Sequence, residues 1–108
     1  MLLQISVLED FPEDVSVVDC LQTSIKSIEK LKTGIVVYMK DEIRVNDIEI
    51  AWVDYKSMAI NMSLYNIYAL LDIDNIKYQL AFYCSIYEGM YWREVIKMML
   101  SSIKLSDT

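Results

Sequence analysis

Two runs, residues 60–71 and 76–85, place apolar side chains on both alternating faces. In the first, Leu64, Tyr68 and Leu70 alternate with Tyr65, Ile67, Ala69 and Leu71. In the second, Ile76, Tyr78, Leu80, Phe82 and Cys84 form the more apolar set against Lys77, Gln79, Ala81, Tyr83 and Ser85. An antiparallel sheet with one wet face alternates apolar with polar, so strands apolar on both sides require cover on both faces. Two amphipathic segments can supply it. Val18, Leu21, Ile25, Ile28 and Leu31 recur at helical spacing over residues 15–32, and Trp92, Val95, Ile96, Met99, Leu100 and Ile103 do so near the end. One helix on each face gives an α/β/α sandwich. Both on one face would leave Tyr65, Ile67, Tyr83 and their neighbours open to a partner or a second copy.

The other elements follow from local pattern. Leu3, Ile5 and Val7 alternate with Gln4 and Ser6, predicting a strand over residues 2–8. Ser16 with Asp19 three positions on is a capping pair, and Gly34 after Lys30 and Lys32 is a helix stop. Residues 35–38, 42–45 and 48–53 read as short strands, the last two flanking Asn46-Asp47 as a hairpin turn. Residues 72–75, Asp-Ile-Asp-Asn, suit a second turn. The order is β-α-β-β-β-β-β-α. The class is α+β, a mainly antiparallel sheet of five to six strands with two helices, in a single domain spanning residues 1–108.

Composition removes many activities. The chain has no histidine, which excludes His-based acid/base catalysis, Ser-His-Asp and Cys-His nucleophiles, and His-containing zinc sites. Its 10 Lys+Arg against 16 Asp+Glu give 10 − 16 = −6, with the basic residues scattered, so nucleic acid and anionic membrane surfaces are disfavoured as partners. No apolar run approaches the roughly 18 residues of a membrane span, and residues 1–5 lack the features of a signal peptide, so a cytoplasmic location is expected. Two glycines make no phosphate-cradling loop, and no cofactor is expected. Cys20 and Cys84 sit among apolar neighbours outside any CxxC or zinc spacing and read as buried thiols. Asp72 and Asp74 lack further ligands at calcium-loop spacing and read as turn residues, leaving no metal site.

What remains is surface. Eight tyrosines in 108 residues, with seven methionines, suit strands and core filling or else protein contact, because a tyrosine is apolar along its ring and wet at its tip. Residues 87–93, Tyr-Glu-Gly-Met-Tyr-Trp-Arg, have the composition of an interface hot spot. Trp92 is expected to anchor the helix, with Tyr87 and Tyr91 open to either role. Tyr65, Tyr83, Tyr87 and Tyr91 are the candidate partner-binding residues.

The hairpin spanning residues 43–55, the aromatic pair of strands at 65–68 and 78–83, and the closing helix through Ser101-Ser102-Ile103-Lys104 resemble the PsbP/Mog-like α/β/α sandwich group, which includes the DcrB-related proteins. The chain departs from that group in lacking its extra N-terminal strands and in carrying Asp47 where a turn glycine is usual. The resemblance implies a sandwich without catalytic residues that binds protein partners, as members do at photosystem II, on a small GTPase or as chaperones of secreted effectors. Together these features point to a non-enzymatic cytoplasmic protein-binding module, an adaptor, chaperone or immunity-type protein, that engages another protein or itself as a homodimer. The alternative is a binder of a small apolar ligand in a sheet–helix cleft lined by Tyr, Met and Trp.

Overall fold

The computed structural model describes residues 2–7, 15–31, 34–59 and 61–103. Its elements are β1 (Leu2–Val7), α1 (Val17–Leu31), β2 (Val36–Val45), β3 (Ile48–Ala59), β4 (Met62–Ile73), β5 (Ile76–Ser85), a 3-10 turn (Ile86–Glu88) and α2 (Gly89–Ser101). The strands form one antiparallel sheet in the order β1-β5-β4-β3-β2. This is the expected α+β class with five strands. The two short candidates at 35–38 and 42–45 are one strand, because β2 is an edge whose Lys40, Asp41 and Glu42 face water.

The strand faces decide where the helices lie. Val17, Cys20 and Leu21 of α1 bury against Ala51 and Val53 of β3 and Leu70 of β4. Ile96 and Leu100 of α2 bury in a larger layer with Ile48, Ile50, Trp52, Tyr65, Ile67, Ala69, Leu71, Leu80, Phe82 and Cys84. On each strand these sets have opposite parity, so one helix covers each face and the chain is an α/β/α sandwich. Each fully buried aliphatic side chain contributes about 1.5–3 kcal/mol, and the α2 layer holds most of them.

Turn chemistry sets the register. Asn46 and Asp47 both have positive φ (50° and 65°), as do Asp74 and Asn75 (52° and 66°), the signature of two-residue type I′ hairpins whose twist matches the strands they join. The second turn is tighter than residues 72–75: β4 runs on to Ile73, and Asp72 pairs with Lys77 across the ladder, their charged groups 3.6 Å apart. Between β3 and β4 the chain turns at Asn61 (φ 65°), two residues inside the run expected to be strand. β3 continues six residues past Val53 because Asp54 and Ser57, polar in sequence, are buried in the fold.

Helix ends match their sequence signals. Ser16 Oγ accepts a hydrogen bond from the Asp19 amide (3.2 Å), and Gly34 takes a left-handed φ of 77°. The acidic stretch between β1 and α1, and Lys32 beside the helix stop, lie outside the described residues. At its far end α2 is tied to the first hairpin, where Asn46 Nδ2 donates to the Ile103 carbonyl (3.0 Å). Asp47 makes the more demanding use of left-handed space. Asp47→Ala is expected to lose about 1–2 kcal/mol in chemical denaturation while Asp47→Gly loses none, the difference reporting the φ requirement.

Candidate functional site

Residues 85–93 turn the chain from the sheet onto its face. Ser85 Oγ accepts from the Tyr87 amide (3.3 Å), closing β5 into the 3-10 turn. Gly89 then opens α2 directly against Tyr65: a Cβ there would lie 2.7 Å from Tyr65 Cγ, so only glycine allows this approach. One helical turn later, Arg93 reaches over the sheet to Asp54.

Asp54 is fully buried, and its carboxylate accepts three hydrogen bonds. Arg93 Nε and the Tyr65 hydroxyl each donate to Oδ2 at 2.5 Å, and the Met39 amide donates to Oδ1 at 3.0 Å. The last bond explains a β-bulge. The β2–β3 register shifts between Val37 and Met39, leaving Tyr38 as the extra residue and turning the Met39 N–H toward the Asp54 side chain. A buried carboxylate needs both a countercharge and filled lone pairs, and here it has both. No buried side-chain polar atom among the described residues lacks a partner.

The electrostatics follow from burial. Burial raises the Tyr65 hydroxyl far above the ordinary tyrosine value, its hydrogen bond to Asp54 raises it further, and Arg93 offsets part of this. For Arg93 burial works to release the proton, but Asp54 and Tyr65 outweigh it and the net direction is upward. Tyr65 and Arg93 therefore keep their protons through the neutral range, and the cluster acts as a fixed ion pair. Cys20 and Cys84 are buried free thiols, and burial raises both, which leaves little reactive thiolate.

The outer side of the same segment has a different character. Tyr87 is 95% exposed, Met90 69% and Tyr91 67%. Two clefts flank Ile86: one of about 200 Å³ lined by Tyr38, Tyr65, Ile86, Gly89, Met90 and Arg93, and one of about 380 Å³ bordered by Met62, Ser63 and Tyr87. Tyr38 and Met62 are also exposed, so a tyrosine- and methionine-rich surface surrounds the start of α2. Trp92 holds this ridge down. Its ring packs on Phe82 (centroids 5.3 Å), its Nε1 donates to Glu88 Oε2 (3.2 Å), and Tyr91 meets it edge-on. Trp92 is thus the anchor, and Tyr87 and Tyr91 are on the outside.

The four tyrosines singled out from sequence do not share a surface. Tyr65, at 2% exposure, is not available to a partner: it belongs to the Asp54 cluster beneath α2. Tyr83 is 39% exposed but lies on the α1 face of β5, across the sheet from the ridge. Only Tyr87 and Tyr91 stand together. Sequence reasoning missed Asp54 and read Arg93 as part of a hot-spot composition. The available signal was an acidic residue directly after the apolar run 50–53, which in a central strand demands a cation.

Other candidates resolve differently. A cleft of about 470 Å³ between α1 and the β2–β3 hairpin is lined by Ser16, aliphatics and the charged Glu42, Arg44 and Glu49, with no Tyr, Met or Trp. Of the two Tyr- and Met-lined clefts beside Ile86, that of about 200 Å³ is below the ~300 Å³ at which small-molecule pockets begin and that of about 380 Å³ is above it, with Asn61, Ser63 and Ser85 in its lining and no Trp. Asp74 lies in a turn and Asp72 pairs with Lys77; among the described residues no group of three or more His, Cys, Asp or Glu is placed to hold a metal ion. No helix among the described residues is long and apolar enough to cross a membrane.

No protein-family model and no curated protein matches the chain. Among solved structures it is similar to that of PA94, a protein of unknown function from Pseudomonas aeruginosa. The two share 11% sequence identity and a TM-score of 0.73, over 98% of this chain and 84% of that one. At that identity the likeness concerns the fold.

Arg93→Met is expected to cost about 3–5 kcal/mol in denaturant unfolding, because it strands a buried carboxylate without its cation. Alkaline pH supplies a second test. The folded-state value of Tyr65 is raised above that of the unfolded chain, so its contribution to stability is complete below about pH 10 and is lost as pH rises toward the folded value. Unfolding free energies measured from about pH 9 to 12 are expected to fall, and Tyr65→Phe to flatten part of that slope.

Proposed function

We propose that the chain is a non-enzymatic protein-binding module, of adaptor, chaperone or immunity type, working in the cytoplasm, and that its partner docks on the ridge formed by Tyr87, Met90 and Tyr91. One observation carries the reading. Three large, mostly apolar side chains project into water, Tyr87 from the 3-10 turn and Met90 and Tyr91 from the first turn of α2, whose opposite side is fixed by the Gly89–Tyr65 contact and by the Arg93–Asp54 pair. The backbone that carries them is set before any partner arrives, so docking has to order side chains but not the segment itself, and aromatic anchors are what protein interfaces favour. Methionines at Met62 and Met90 supply an adaptable rim. The net charge of −6 favours a basic partner through faster encounter more than through added affinity.

The test is the double variant Tyr87→Ala with Tyr91→Ala. Its thermal midpoint is expected to stay within about 2 °C of the parent, since both rings are mostly in water. Quantitative affinity capture from the native cell is expected to lose a defined partner by about tenfold or more. A large drop in midpoint, or capture that is unchanged, would remove the ridge as the contact surface.

A further inference from the structure

The two edges of the sheet are built differently. β2 is defended against pairing: a bulge interrupts it at Tyr38, and Lys40, Asp41, Glu42 and Arg44 line it with charge. β1 has no such device. Its six residues, Leu-Leu-Gln-Ile-Ser-Val, include no charge and no proline, and they pair with β5 without a register shift. Alternate N–H and C=O groups along β1 point away from β5.

The core beneath α2 also runs out at this edge. Read across the strands, one row is Asp41, Trp52, Ala69, Leu80, Ile5. Its three central members are at most 3% exposed, one end is closed by a charge, and Ile5 at the other end is 64% exposed. The flanking rows end the same way, through Phe82 at Leu3 and through Tyr78 at Val7, each nearly half exposed. On the opposite face a polar ladder runs Tyr68 hydroxyl to Gln79 Oε1 (2.7 Å) and Gln79 Nε2 to Ser6 Oγ (2.9 Å). The Ser6 hydroxyl, having accepted, still has a proton to donate.

We propose that β1 pairs with β1 of a second copy, antiparallel about a two-fold axis at Ile5, joining two five-stranded sheets into one of ten strands. The strand is complementary to itself in that register. Leu3 falls opposite Val7 of the other copy and Ile5 opposite Ile5, all on the α2 face, so the three open core rows continue into their symmetry mates. Gln4 falls opposite Ser6 on the other face and extends the polar ladder. A second copy is the occupant because the strand complements itself in this register, and β1, with no charged side chain in a chain of net charge −6, places no like charges opposite one another at the seam.

The experiment uses the full chain in analytical ultracentrifugation over a concentration series, with two variants. The parent is expected to reach the mass of two chains, and Ile5→Lys, which puts like charges on the axis, to weaken that association about a hundredfold or more with an unchanged circular dichroism spectrum. Ile5→Cys is expected to give a disulfide-linked dimer under mild oxidation, since paired Cα atoms on the axis lie about 4.5–5.5 Å apart. Val36→Cys on the β2 edge and the parent, whose Cys20 and Cys84 are buried, are expected to give none. A parent of one-chain mass throughout the series would overturn the proposal. So would a dimer indifferent to Ile5→Lys with no cross-link through Ile5→Cys. Neither result bears on the Tyr87–Tyr91 ridge, whose variants leave β1 intact.

Discussion

The carboxylate of Asp54 is sealed from water against Arg93, and it is the point through which four parts of the fold are joined. Arg93 brings α2, Tyr65 brings β4, and the Met39 amide brings the edge strand β2, all onto one β3 side chain. A buried carboxylate tolerates no looser arrangement, because each unfilled lone pair and any unbalanced charge costs several kcal/mol. The bulge at Tyr38, the absence of a side chain at Gly89 and the position of α2 all follow from meeting that demand. Hydrophobic burial supplies most of the stabilisation of this face, but it is non-directional; the cluster fixes which residue of α2 lies over which residue of the sheet.

This fixing has a consequence for the surface. Arg93 and Trp92 point down on either flank of Gly89, so Tyr87, Met90 and Tyr91 must point out. The same nine-residue stretch therefore serves as latch on one side and exposed ridge on the other. The asymmetry between the sheet edges has a related origin. β2 is bent by its bond to Asp54 and carries charge, whereas β1, with no part in the cluster, stays regular and neutral.

Much of the architecture was legible in the residues. The runs at 60–71 and 76–85 required cover on both faces, and the two amphipathic segments were there to provide it. Ser16, Gly34 and Asn46-Asp47 marked ends and turns through chemistry that acts within a few residues: a hydroxyl that accepts an amide, and backbones that tolerate positive φ. The failures share one cause. β2 was divided and β3 cut short because Lys40, Asp41, Asp54 and Ser57 look like interruptions when read locally. In the sheet the first two face water at an edge and the last two are satisfied by distant partners. Tyr65 was read as a surface residue on the same footing, since nothing near it in sequence announces that its hydroxyl meets Asp54 and that Gly89 packs on its ring.

By itself, then, the sequence determined the class of fold, the number and rough span of most elements, the buried state of both thiols and the lack of any histidine chemistry. These depend on periodicity and composition, which are properties of neighbouring residues. Only the tertiary structure decided that the helices take opposite faces, that Asp54 and Arg93, 39 positions apart, form one ion pair, and that Tyr87 and Tyr91 are exposed while Tyr65 is not. The physical reason is that burial and charge pairing are set by contacts between residues far apart in the chain, and a side chain's partner there is invisible to any local pattern.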